Sequence, residues 1–157
     1  TTILLLTACG FQPVYGVNKH TSIGVEEILA EIEIENIPDR EGQYLRNALI
    51  DKFYRHNRPA SPAYNLKIQP IRETLKDLDI TKSSDATRGQ LKLSTKMRLI
   101  NNRTGEKMLE RSLHSITSYN ILSSEFSTRV SEENARQNAL DDLARQIELH
   151  IAIYFKR

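Results

Sequence analysis

The sequence predicts an α/β fold of the α+β kind, a two-layer sandwich. It should hold a four-stranded, mostly antiparallel or mixed sheet with two helices on one face, in the order β-α-β-β-β-α. Three observations predict it. Between Gln90 and Leu99, Leu91, Leu93, Met97 and Leu99 fall on one side while Gln90, Lys92, Ser94, Lys96 and Arg98 fall on the other, the two-residue period of a half-buried strand. From about Thr128 the period changes, and Leu140, Leu143, Ala144, Ile147, Ile151 and Tyr154 recur every three or four residues, a helical stripe. The clusters RPASPAYN and NNRTG divide the stretch between into strand-sized pieces. Each strand then has one apolar face and each helix one apolar stripe, and laying both helices on one sheet face covers them all. The other sheet face is left polar, rich in Lys and Ser.

Taken in order, ILAEIEIENI alternates Ala30, Ile32 and Ile34 with Glu31, Glu33 and Glu35, which reads as the first strand. Pro38 stops it, Asp39 is placed to cap a helix, and Leu45, Ala48, Leu49, Lys52 and Phe53 give that helix its spacing. YNLKIQPIRETL puts Tyr64, Leu66 and Ile68 on one face of a second strand, with Pro70 marking an edge or a bulge. The strand at Gln90–Leu99 turns at NNRTG into a fourth running from Lys107 to about Tyr119, so these two should form an antiparallel hairpin. The final helix carries Glu132 with Arg136 and Asp141 with Arg145 as i,i+4 pairs on its outer side. Leu49, Leu93, Met97 and Leu143 are the expected core.

A chain of 157 residues is enough for one domain with a core of its own. Twenty-two Lys and Arg against 20 Asp and Glu leave a formal charge of +2, far from the basic excess of a typical nucleic-acid binder. The charge is unevenly spread: seven carboxylates and one Arg lie between Glu26 and Glu41, eight basic residues and three acidic ones between Lys82 and Arg111. The open sheet face carries charge without the aromatic platform that base stacking needs, so no nucleic acid is expected. There is no Gly-rich phosphate loop, no H-E-x-x-H and no G-x-S-x-G, and His20, His56, His114 and His150 are widely separated. No catalytic residue, cofactor or metal is expected, and the chain reads as a non-enzyme.

The one cysteine, Cys9, excludes an intramolecular disulfide. It follows a short apolar run, Ile3 to Leu6, far below the ~20 residues that cross a bilayer but suited to the end of a secretory signal. A buried thiol is the plain alternative, and a cysteine between such a run and a Pro- and Gly-containing linker is poorly placed for a core. Leu6-Thr7-Ala8-Cys9 resembles a bacterial lipobox. Residues 1–8 are therefore expected to be the remnant of a signal peptide, 9–24 a lipidated N-terminus and linker, and 25–157 a single sandwich domain.

CGFQPVYG, Cys9 to Gly16, resembles the mature start of the LptE family of lipopolysaccharide-assembly lipoproteins, and the element order from IEIENI to the last helix is similar to that family across nearly all of residues 9–157. The resemblance implies a lipoprotein on the periplasmic side of the Gram-negative outer membrane, anchored in its inner leaflet through acyl chains on Cys9. It implies a plug inside the large LptD-type β-barrel of the lipopolysaccharide translocon, help with that barrel's assembly, and contact with lipopolysaccharide. An unrelated periplasmic lipoprotein, acting as a ligand-binding or envelope-scaffold module, is the alternative. For the lipopolysaccharide contact the hairpin brings the loop before Gly89 and the exit of the fourth strand to one end, where Lys82, Arg88 and Arg129 should converge, with Lys92 carrying the positive strip onto the polar face. Solvated surface explains such residues equally well. Arg55, Arg58, Arg103 and Lys107, at the opposite end, are the second choice.

Overall fold

The computed structural model describes residues 19–55, 57–80 and 86–156. The elements are α1 (Lys19–Ala30), β1 (Ile32–Ile34), α2 (Asp39–Phe53), β2 (Tyr64–Ile68), β3 (Arg72–Ile80), β4 (Ala86–Asn101), β5 (Lys107–Asn120) and α3 (Glu125–Phe155). The two-layer α+β sandwich is there, with one more strand and one more helix than the sequence led us to expect.

β4 is the spine of the sheet. Along one side β5 runs antiparallel, with Arg88 opposite Asn120 and Leu99 opposite Leu109, which is the expected hairpin about the NNRTG turn. On its other side β4 has two antiparallel partners laid end to end: β2 against Met97–Asn101 and β3 against Ala86–Ser94. β1 adds in parallel to the outer side of β2. Five strands thus make four columns.

The junction of β2 and β3 explains the extra strand. Ile68 stands opposite Met97 and Arg72 opposite Ser94, so three residues, 69 to 71, face two, 95 and 96. One extra residue exchanges the faces of everything after it. Leu66 and Ile68 look toward the helices, but beyond the bulge it is Glu73 and Leu75 that do. Pro70, which has no N–H to give a ladder, sits within it. The Gln69 N–H donates to the Lys96 carbonyl at 2.9 Å, and the Thr95 hydroxyl donates to the Gln69 carbonyl at 2.7 Å.

The core lies between the sheet and the helices. Leu91, Leu93, Met97 and Leu99 of β4 are wholly buried, as are Leu45 and Leu49 of α2 and Leu143, Ile147 and Ile151 of α3. Tyr154 is only partly buried beside that core.

Four local expectations need correction. The segment read as a polar linker up to residue 24 enters α1 at Lys19, and Ala30 closes that helix instead of opening β1. Pro38, in extended conformation, caps α2 with no side-chain hydrogen bond, while Asp39 begins the helix at a φ of 68°, a left-handed value that Asp tolerates better than most residues. α3 starts at Glu125, where the Ser127 N–H donates to the Ser124 hydroxyl at 3.4 Å. On α3 the Glu132–Arg136 pair forms at 2.6 Å, but Arg145 pairs with Asp142 at 3.2 Å. Asp141 instead accepts a hydrogen bond from the Tyr44 hydroxyl of α2.

Candidate functional site

The sheet has one covered and one open face, and the open one carries the charge. Alternation along β4 sends Arg88, Gln90, Lys92, Ser94, Lys96 and Arg98 outward, beside Glu110, Ser112, His114 and Ile116 of β5. The only aromatic residues within the five strands are Tyr64 and Tyr119. Both turn inward, Tyr64 against Phe155 with ring centres 5.1 Å apart and Tyr119 into the core. At the end near the NNRTG turn, Glu110 gathers the cations: Arg98 donates to it, with Lys107 at 3.6 Å and Lys96 at 3.9 Å. The hydrogen bond from Arg98, with help from the Lys107, Arg98 and Lys96 charges, holds the Glu110 carboxyl below its usual range. Lys67 of β2 is matched in the same way by Glu35 at 3.1 Å.

Of the four residues expected to meet lipopolysaccharide, Arg88, Lys92 and Arg129 are described; Lys82 lies outside the described residues, as does Cys9. The hairpin does bring Arg88 to the α3 end: the Ile121 N–H donates to the Thr87 carbonyl at 3.0 Å, and the Asn120 N–H donates to the Ser131 hydroxyl at 3.2 Å. Arg88 and Lys92 share the open face. Arg129 belongs to the other layer, because α3 packs on the covered face, where Thr117 donates to the Ala135 carbonyl at 3.0 Å. Arg129 is bonded to Glu125 at 2.6 Å, one helical turn away. Arg88 and Arg129 share an end of the molecule but not a layer. In the rival cluster, Arg55 is paired with Glu26 at 3.0 Å and Lys107 with Glu110.

A group that sequence reasoning did not single out lies farther along the open face. Where β2 gives way to β3, a hollow of about 410 Å³ is lined by Arg72, Lys92, Lys96 and His114, with Ser94 and Ser112 among its shorter walls. Lys92 was visible from the sequence. Arg72 and His114 reach the place only through the register of three strands, and that register depends on the bulge at Pro70.

Between the layers, the strongest polar contact is Arg136 of α3. It bonds Glu73 of β3 through two nitrogens, at 2.7 and 3.0 Å, and takes Glu132 and Glu133 at 2.6 Å each. The hydrogen bond to Glu73 leads in pushing the guanidinium pKa up, so this group stays charged and acts as a clamp. Burial alone would raise the Asp142 carboxyl, but hydrogen bonds from Ser115, Gln146 and Arg145 outweigh it and lower the pKa. These networks join structural elements and expose no nucleophile beside a base. Among the described residues no three His, Cys, Asp or Glu side chains are placed to hold a metal ion, and no helix is long and apolar enough to cross a membrane.

A family model described as LptE, lipopolysaccharide-assembly, matches residues 29–151. Three solved structures share the fold. A lipoprotein from Caulobacter crescentus is 22% identical with a TM-score of 0.66, over 85% of this chain and 96% of its own. The rare lipoprotein B of Shewanella oneidensis is 10% identical with a TM-score of 0.60, over 77% of this chain and 91% of its own. A minor lipoprotein from Acinetobacter baumannii is 21% identical with a TM-score of 0.54, over 78% of this chain and 88% of its own. No curated protein sequence matches significantly.

Proposed function

This chain belongs to the LptE lipopolysaccharide-assembly family, and from that premise we propose that it is a non-enzymatic lipoprotein, anchored through Cys9 on the periplasmic side of the outer membrane. It plugs the large LptD-type β-barrel of the lipopolysaccharide translocon, assists that barrel's assembly, and meets lipopolysaccharide through basic residues such as Arg88 and Lys92. The observation that carries this reading is the family match, which runs from the end of α1 into α3 and so takes in the whole sheet.

The geometry of the sheet supports it, and the anchor is physically sufficient. A wide barrel has a polar interior, and this molecule confines its large apolar side chains mainly between its own layers while turning a charged, aromatic-free sheet face outward. A lipid anchor supplies membrane attachment that needs no spanning helix, since two or more acyl chains hold a protein stably where one holds it only marginally.

The test is purification of the native protein from membranes. We expect an N-terminal Cys9 carrying acyl groups by mass spectrometry and a large β-barrel in the purified complex. An unmodified thiol at Cys9 removes the anchor, and a lipidated protein that brings down no barrel removes the plug and favours a separate periplasmic lipoprotein.

A further inference from the structure

On the open face, four nitrogen-bearing side chains surround one serine. Arg72 of β3 and His114 of β5 stand directly opposite Ser94 from its two sides. Lys92 and Lys96 lie two residues either way along β4, about 6.6 Å from it at strand spacing. Ser94 and Ser112 are short, so the longer side chains rise around a hollow whose lining includes Gln69, Pro70 and Thr95 but no carboxylate. The bulge makes this arrangement: it ends β2 at Ile68 and sets Arg72, rather than a β2 residue, opposite Ser94.

Cations crowded across neighbouring strands repel one another, and elsewhere on this face the chain relieves that with carboxylates. Glu110 serves Lys96, Arg98 and Lys107, and Glu35 serves Lys67. Among the described residues Arg72 and Lys92 have no carboxylate within ion-pair distance, and Lys96 reaches Glu110 only at 3.9 Å. Charge is thus left unmatched at this concave spot, while the end of the face near the NNRTG turn is balanced by Glu110 and Glu35.

We propose that the hollow over Ser94 is a binding site for a phosphate group. Arg72 supplies a forked pair of donors, Lys92 and Lys96 supply charge from two further directions, and the Ser94 hydroxyl donates from the floor. Such converging donors suit a tetrahedral anion with several oxygens. Resting on the reading that this protein contacts lipopolysaccharide, the phosphate belongs to the glycolipid head. The site is separate from the α3 end, where Arg129 is already paired with Glu125. An acidic protein loop is the competing occupant, and a concavity that gathers its donors around one point favours the compact anion.

The test titrates the full chain with three probes: inorganic phosphate, a bisphosphorylated acyl-glucosamine lipid in detergent micelles, and the same lipid with its phosphates removed. Backbone amide shifts report the place of binding. Amides of Ser94 and His114 should move with the first two probes and stay with the third. Arg72→Gln with Lys92→Gln should weaken the phosphorylated lipid by about tenfold or more at an unchanged melting midpoint; if the double variant fails to fold, Lys92→Gln alone should weaken it by about threefold. If the variant binds the lipid like the parent while an Arg88→Gln, Arg129→Gln protein loses it, the hollow is not the site and lipopolysaccharide contact stands. If inorganic phosphate moves Ser94 but neither lipid binds, the phosphate site stands and the lipopolysaccharide contact falls. If a polyglutamate peptide displaces the phosphorylated lipid at matched charge, the face reads charge alone and the proposal is overturned.

Discussion

β4 passes through two different environments. Its C-terminal half, Met97–Asn101, is flanked by β2 and β5, backed by β1 beyond β2, and covered by the helical layer; Met97, Leu99, Leu66, Ile32, Leu49 and Ile151 have no exposure at all. Its N-terminal half is flanked by β3, whose inward residues are Glu73, Leu75 and Asp77. Leu75, although on the helix side of the sheet, is 46% exposed, and Phe126 at the start of α3 is 76% exposed. One half is held by apolar packing, while the rim of the other depends on a polar clamp, Arg136 on Glu73. β4 itself is packed along its whole length, with Leu91 and Leu93 as buried as Leu99; what changes is its neighbour, apolar in β2 and clamped by charge in β3, and the bulge at Pro70 is where the change occurs.

The largest effect should come from the packed half. Leu99→Ala should cost about 2–5 kcal/mol in urea denaturation, whereas Leu75→Ala should cost less than about 1 kcal/mol; equal costs would erase the contrast. Leu93→Ala belongs with Leu99, and a Leu93→Ala protein as stable as the parent would mean that the two faces of β4 are exchanged.

Next comes the clamp. Arg136→Ala leaves Glu73 and Glu132 without the cation they share, and Glu133 with Arg40 alone at 3.0 Å. Because the three carboxylates are 25–31% exposed, the cost should be about 1–3 kcal/mol, below that of breaking a fully buried pair. Hydrogen exchange sharpens the point: amides of β3 should open faster in this variant while those of β2 keep their protection. Loss of protection spread evenly over both strands would show that they open as one.

The smallest effect lies on the open face. The Glu110 carboxyl is held below its usual pKa, so its contribution is present above the ordinary carboxylate range and disappears as pH falls through the lowered value. Parent and Glu110→Gln should therefore differ in melting midpoint near neutrality and converge in acid. A gap that widens on acidification would reverse the sign of this account.

How much of this was legible in the sequence follows from which residues carry a local signal. β4 was, because Leu91, Leu93, Met97 and Leu99 keep a period of two that only Thr95 interrupts, and every one of the four apolar residues proved buried. β3 was only half visible, since RETLKDLDI has its leucines three apart, at Leu75 and Leu78, and both are exposed; the phase change at Pro70 broke the period that reading depended on. α1 was missed because its first turn, KHTS, is polar and reads as linker, while its last residue, Ala30, falls in phase with Ile32 and Ile34 and reads as strand. The shared end of Arg88 and Arg129 was readable from hairpin geometry. Their separation into two layers was not, because it depends on which sheet face α3 covers. Arg72 and His114 carry no sequence mark at all: each becomes notable only through the strand that stands beside it.

The sheet closes on neither side. Among the described residues β5 pairs only with β4, and so does β3, leaving two rows of backbone donors and acceptors of the kind that recruit a second copy into a continuous ladder. On β3 the register shifts between Asp77 and Ile80, and the strand carries Arg72, Glu73, Lys76, Asp77 and Asp79. An irregular, densely charged border of this sort discourages self-association, since a neighbouring copy would have to match both the offset and the sequence of signs. β5 is longer and regular from Leu109 to Asn120, so its margin is where unwanted stacking between copies would begin at high concentration.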